Sequence, residues 1–424
     1  VTFRPSPLAY ALAVLVAWLA CLAIAFDRAE LLFIAVPLVL RLAQSLPPAD
    51  ADIGRFALAS DGVAPSEGDV FTLTIDARLT AATGLVQVLP ALPGQVGTDF
   101  RTAVFSPQPD GRVCWDIPLL CRFGGMLDFD MVFFRQWDRS GLWVGEARRD
   151  QSVRLAVRPI ALAIRTVPSP RLTGAPFGAH ASQKFGDGSD FADIRTFAAG
   201  DRMKRINWRV SVRMRQLHVN QFHVERSADV ILLVDTFVNI GQRPHSTLDF
   251  TLRAAAGLTQ AYLRQSDRVG LIEVGGWLRW TRPASGPRQY ETILRSLTRV
   301  TVTATDLRRN APSLPEAMLP RHALIIALTP LADERFVLVV TGLADQGRDV
   351  VLLAIDGDHV SLPYLTRRAG HPVVRRVWRL LREDRLRELR SHGMRAALWS
   401  PAQPIEAALA SVERHGTRGA AWFG

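Results

Sequence analysis

From Leu8 to Phe26 the chain reads LAYALAVLVAWLACLAIAF, a run without a single charge. At about 1.5 Å per residue a helix of this length spans about 28 Å, close to the hydrocarbon thickness of a bilayer. No other feature constrains the fold as strongly, because only helices and closed barrels satisfy their backbone inside a membrane. A polar break, Asp27-Arg28-Ala29-Glu30, leads into a second apolar run, LLFIAVPLVLRLAQSL, from Leu31 to Leu46. Pro37 and Arg41 interrupt it, yet membrane helices tolerate proline, and an arginine near a helix end snorkels to the headgroups. The expectation is a transmembrane helical hairpin over residues 1–48. A signal peptide cleaved after Ala23-Ile24-Ala25 is the competing reading. The run exceeds the roughly 7 to 15 residues of a signal peptide's apolar region, and a second run follows at once. Arg4, Arg41 and Arg55 flank the pair while only Arg28 sits in the turn, so both ends are expected in the cytoplasm.

Behind this anchor the chain has room for two or three compact units, since it totals 424 residues. Residues 49–165 alternate apolar and polar side chains in short stretches, FTLTIDARL (71–79), RVCWDIPL (112–119) and SVRLAVRP (152–159), with Gly, Pro and Asp between them. A small β-sandwich is expected there, with a barrel as the alternative. Residues 166–227 form a linking segment that opens on a proline-rich joint. From 228 to 424 continuous apolar strands, DVILLVDTF (229–237), ALIIALTP (323–330) and DVVLLAID (349–356), alternate with helical stretches. That pattern specifies an α/β unit whose mostly parallel sheet is covered on both faces.

Net charge is +11, carried almost wholly by arginine; Lys184 and Lys204 are the only lysines. Such a balance suits anionic lipid, acidic proteins or nucleic acid alike. Three cysteines are too few for a disulfide scaffold. The chain has no GxxxxGK[ST], GxSxG or HExxH motif. His218 and His223 fall on opposite faces of an expected strand and cannot share a metal there. The Gly186–Asp190 stretch lacks phosphate-loop spacing and reads as a turn. No enzymatic activity is expected.

The densest polar block runs from Asp187 to Glu225. Within it Met203, Ile206, Val210 and Met214 recur at helical spacing, so one apolar helix face is expected, with Arg202, Lys204, Arg205, Arg209 and Arg213 around the rest. Asp190, Asp193, Arg195, Asp201, Arg205 and Arg213 are expected to form a charge network above a packed Trp208. A docking surface for an acidic partner or for headgroups is the sharper alternative. Nucleic-acid binding by arginines around Trp208 ranks third, and no nucleic acid is expected as partner.

Gly178, the run GDGSDFADIR (186–195), the run FAAGDRMKRINW (197–208), Ser211-Val212-Arg213, VNQFHVE (219–225) and ADVILLVD (228–235) together resemble the domain-of-unknown-function 58 family of bacteria. The resemblance centres on Gly186, Asp190, Asp193, Arg195, Gly200, Asp201, Arg205, Asn207, Trp208 and Arg213. It implies a von Willebrand factor type A-like domain of Rossmann type from about residue 228. It also implies association with a MoxR-type AAA+ ATPase, and so a membrane-anchored, non-catalytic adaptor for assembling, remodelling or maturing other proteins. The implied location is the bacterial cell membrane, crossed twice, with the soluble domains in the cytoplasm. An outward-facing, metal-dependent adhesion module is the competing class.

Domains of that type commonly hold Mg²⁺ at the top of the sheet through a D-x-S-x-S loop, because a hard cation needs several oxygens. The positions that match are Asp235, Phe237 and Asn239, with the family's threonine near Thr305, Asp306 beside it, and Thr329 before Pro330 in the third loop. Phe237 offers no oxygen and Asn239 offers one neutral carbonyl. The expectation is therefore a degenerate site without a tightly held metal or other cofactor, whose face either binds a partner directly or, with Phe237 turned inward, is inert.

Overall fold

In the computed structural model the described residues are 2–45, 53–61, 64–79, 83–171, 185–198, 201–223, 228–302, 314–358, 360 and 371–419. The fold is mixed α/β with several sheets. The chain divides into two compact units, Val1–Val157 and Arg158–Gly424.

In the first unit β1 (Thr2–Pro5) leads into α1 (Pro7–Ala25) and α2 (Glu30–Gln44). Ser6 caps α1: its hydroxyl accepts from Ala9 N at 3.2 Å and donates to Gly141 O at 2.7 Å. Trp143 Nε1 donates to Ser45 O at 3.2 Å and Arg41 donates to Ser140 O at 3.0 Å, so the start of α1 and the end of α2 are both fastened to the turn at 138–143. One described helix, α1, is long and apolar enough to cross a membrane. The shorter α2 exposes Phe33, Ile34 and Val36, and each helix buries one alanine, Ala23 and Ala35 respectively.

Eight strands follow, all paired antiparallel: β2 (Ile53–Ser60), β3 (Val70–Leu79), β4 (Thr83–Pro90), β5 (Val96–Gly97), β6 (Ala103–Phe105), β7 (Arg112–Cys121), β8 (Gly125–Asp138) and β9 (Trp143–Val157). They form a five-stranded sheet, β1-β9-β8-β4-β6, and a four-stranded sheet, β2-β3-β7-β5. Alternation puts Phe71, Leu73, Ile75 and Ala77 of β3 on one buried face. In β8 the inward set is Leu127 and Phe129, then Val132 and Phe134, because a register shift between Phe129 and Met131 changes the parity. Both sheets contribute to one apolar layer, in which Phe71 meets Phe129 edge-on at 6.1 Å.

The second unit begins with β10 (Phe185–Thr196), α3 (Trp208–Met214) and β11 (His218–His223). There follow β12 (Asp229–Asp235), α4 (Thr247–Arg264), β13 (Arg268–Val274), β14 (Leu278–Ala284), α5 (Pro287–Thr298), β15 (Leu324–Thr329) and α6 (Glu334–Asp345). The chain ends with β16 (Asp349–Ile355), α7 (His371–Ser391), β17 (Arg395–Trp399) and α8 (Ile405–Gly419). Strands β12, β15 and β16 sit where the continuous apolar runs place them. The six-stranded sheet has the order β14-β13-β12-β15-β16-β17, parallel throughout except for the edge strand β14.

Helices α4, α5 and α8 close one face over Val230, Leu232 and Ile326, and α6 and α7 close the other over Ile231, Leu233 and Ile325. Residues 158–171 lie along α4. Leu162 N donates to Arg253 O at 3.2 Å, and Tyr262 OH to Pro168 O at 2.7 Å. This approach demands Gly257, where a Cβ would stand 2.4 Å from Leu162 O. Strand order reverses between β12 and β15, and in such sheets ligands bind beyond the carboxyl ends at that switch point.

Candidate functional site

Asp235 ends β12 and Thr329 ends β15, so the fold brings both to the switch point. Asp235 is 2% exposed. Its Oδ2 accepts from the Thr329 hydroxyl at 2.6 Å and its Oδ1 from Phe237 N at 3.0 Å. Burial pushes the carboxyl up to about 7, a shift that Asp333 adds to and that the two hydrogen bonds and Arg335 oppose. Phe237 points into the core on the α6 and α7 side, and the Arg335 guanidinium caps its ring at 4.2 Å from the centroid. Burial alone would raise the Asp333 carboxyl, but the Arg335 side-chain pairing at 2.7 Å, its backbone N–H and its charge together hold it below its ordinary range. Asn239 Oδ1 accepts from Leu248 N at 3.0 Å and from Thr247 Oγ1 at 3.3 Å, which ties the loop to the first turn of α4. Pro330 is buried rather than offered at a loop tip.

These residues do not fit a divalent cation. Asp235 has both oxygens occupied in a buried pocket, Phe237 supplies no donor atom, and the Asn239 carbonyl is turned to a helix end. Thr305 and Asp306 lie outside the described residues. What the arrangement offers chemically is a buried carboxyl, pushed up to about 7, with both oxygens hydrogen-bonded.

Sequence reasoning missed a charged cluster two strands away, at the carboxyl end of β16. Asp356 and Asp358 follow β16 and both pair with Arg382 of α7, Asp358 at 3.0 Å. An Asp-Gly-Asp directly after a continuous apolar strand was the available signal. Pro330, Leu331 and Ala332 face Trp378, Leu381 and Arg385 of α7 across a groove of about 360 Å³.

The second candidate is the arm made by β10, α3 and β11. Its two strands pair only with each other among the described residues. The Gly186–Asp190 stretch expected as a turn is strand, with a register shift between Gly186 and Phe191; a glycine-bearing bulge keeps the backbone extended. Gly200 lies outside the described residues, and of Asp190 only the backbone is described. Arg195 grips Asp201 through two bonds of 2.7 and 2.5 Å, and Ala198 N donates to the same carboxylate at 2.8 Å. The guanidinium holds the Asp201 carboxyl below its usual range, and Arg205 adds to the effect at longer reach. Asp193 accepts from Ile194 N at 2.7 Å, and Arg213 is exposed.

Asn207 caps α3 by accepting from Val210 N at 3.1 Å, while its amide donates to Asn220 Oδ1 at 2.8 Å. Ser211 Oγ accepts from His218 N at 2.9 Å. The continuous helix face expected from Met203 to Met214 is absent. Met203–Arg205 is a single 3-10 turn, Ile206 bridges to Val219, and the helix starts only after its Asn207 cap. That cap turns Ser211 towards β11, so Trp208 is not packed under the charges but stands 64% exposed, and Val212 one turn on is 77% exposed. Met203 and Met214 are exposed as well, among Arg202, Lys204, Arg209 and Arg215.

Residues 193–374, which run from this arm through the sheet to the start of α7, match the family described as protein of unknown function DUF58. Uncharacterized proteins of Mycobacterium bovis and Mycobacterium tuberculosis are similar to the chain, 27% identical over 151 residues. The match takes in 35% of this chain and 46% of each relative. The chain thus spans about half the length of the curated relatives it matches.

Proposed function

We propose that this chain, whose residues 193–374 match the family described as protein of unknown function DUF58, is a membrane-anchored, non-catalytic interaction protein. Its partner is a MoxR-type AAA+ ATPase, which it couples to the assembly, remodelling or maturation of other proteins. The single observation that carries the reading is the end of the arm. Trp208 and Val212 share one outward edge of α3, with Met203 and Met214 exposed nearby and arginines between them. Trp, Met and Arg are the residues enriched at interfaces, and an isolated exposed tryptophan edge has no packing role to explain it. The Arg195–Asp201 and Asn207–Asn220 bonds give that edge a rigid base.

The order of the parallel strands, with its switch point between β12 and β15, supports a von Willebrand A-like reading of the sheet. A buried Asp235 whose oxygens are both hydrogen-bonded supports partner binding without a bridging cation. The anchor is read as a two-pass hairpin with both ends in the cytoplasm. In support, α1 begins and α2 ends at the same turn, 138–143, and the arginines cluster on that side.

Capture of the purified ATPase by the full chain in detergent tests the reading. Replacing Trp208→Ser and Val212→Ser together should weaken capture on the order of tenfold or more, as for an interface hot spot. The melting temperature should hold, because both side chains are exposed. Undiminished capture by the double variant would remove the arm from the interface.

A further inference from the structure

α7 has two unlike halves. In its second half Leu386 and Leu389 are buried against the sheet, and Arg382 pairs with Asp356 and Asp358. In its first half Val373, Val374, Val377, Trp378, Leu380 and Leu381 are all exposed. At 100° per residue these six fall within one sector of about 160°, centred well away from the direction of Leu386 and Leu389. Arg375, Arg376 and Arg379 occupy the remaining arc, and residues 371–382 contain no acid; the first are Glu383 and Asp384.

We infer that the first half of α7 lies in the surface of an anionic lipid bilayer, with its apolar sector among the acyl chains and its arginines at the headgroups. This goes beyond the adaptor reading and does not depend on any partner protein. Three observations select lipid as the occupant. A broad apolar sector flanked by cations is the pattern of an interfacial helix. The helix itself carries charge of one sign over three turns, complementary to anionic headgroups, and the one acid that reaches its first half is Asp358, 4.0 Å from Arg379, among the described residues. Trp378 stands at the margin of the sector, the place an indole takes at a membrane interface. A chain already carrying the apolar helix α1 would hold this surface near a bilayer at high effective concentration.

The test uses the full chain with Cys21→Ser and Cys114→Ser, the two exposed thiols, and Val377→Cys bearing an environment-sensitive dye. Cys121 stays, since burial keeps its thiol unreactive. The chain is mixed with vesicles of phosphatidylcholine alone, or of phosphatidylcholine with phosphatidylglycerol, each carrying brominated acyl chains. Blue-shifted emission quenched by the bromines is expected in the anionic vesicles, weakening with salt. Each arginine at an anionic surface contributes about fivefold, so Arg375→Gln, Arg376→Gln and Arg379→Gln together should lower the inserted population on the order of a hundredfold. A dye that stays in water on anionic vesicles overturns the inference. So does a dye that is shielded but unquenched, the mark of a protein or second copy on that face, or quenching untouched by the triple substitution. Failure of α1 to insert is read separately, as a chain that does not float with neutral vesicles.

Discussion

Arg395→Met is expected to destabilise the second unit by about 3–5 kcal/mol, the cost of leaving a buried charge without its partner. Arg395 opens β17 and Asp349 opens β16, and each side chain is 5% exposed. One guanidinium nitrogen reaches both carboxylate oxygens, at 2.9 and 3.0 Å, and another donates to Ser169 O at 3.0 Å. Arg171 N donates to Asp349 at 2.6 Å, so this pair also pins residues 169–171 to the sheet. Removing the arginine strands an ionised carboxylate in the interior. Adding Asp349→Asn removes that charge while keeping an acceptor for Arg171 N, so the double variant should be more stable than Arg395→Met alone. Denaturant titration of the four members of the cycle reads this out. Strictly additive losses would mean that the two side chains do not act as a pair.

The second large effect is a dependence of stability on pH that resides in Asp235. Its carboxyl titrates near 7 in the folded chain against 3.8 for an ordinary aspartate. Below pH 3.8 both states hold the proton and the group is neutral to stability. Between about pH 4 and pH 7 the unfolded chain releases the proton while the folded chain keeps it, so stability falls as pH rises. Above about pH 7 the loss levels off at about 4 kcal/mol. Asp235→Asn keeps an acceptor for Phe237 N and cannot ionise. Its unfolding midpoint should therefore fall less between about pH 4 and pH 7, and exceed that of the native chain at about pH 8. Parallel profiles for the two proteins would show that Asp235 is not the source.

Strands β3, β7, β12, β15 and β16 and helix α4 were legible because their signals are local. β3 alternates strictly, β12, β15 and β16 are continuous apolar runs, and α4 carries a Ser246–Asp249 capping box at its start. The switch point was legible too, once Asp235 was placed at the end of the first parallel strand. The arm was not, since its four apolar residues at helical spacing are divided among a 3-10 turn, a bridge and a helix of only two turns. Which way Trp208 points is decided by the Asn207 cap and by Ser211 meeting β11, contacts across the hairpin that periodicity does not encode. Phe237 was left open between a loop tip and the core. Arg335, about a hundred residues on in sequence, closes over its ring. The exposed sector of α7 was not legible, because the stretch from Val374 to Arg390 reads only as a basic helix, and the burial of Leu386 and Leu389 is what shows which side meets the sheet.

The arm is the surface proposed to meet a MoxR-type AAA+ ATPase. A photo-crosslinking amino acid at position 208, in the full chain expressed in its own membrane, tests it most directly, with position 338, an exposed leucine on α6, as the control. Irradiation is expected to join position 208, and not position 338, to a MoxR-type AAA+ ATPase identified by mass spectrometry. Adducts to lipid alone at position 208, or equal ATPase adducts at both positions, would contradict it.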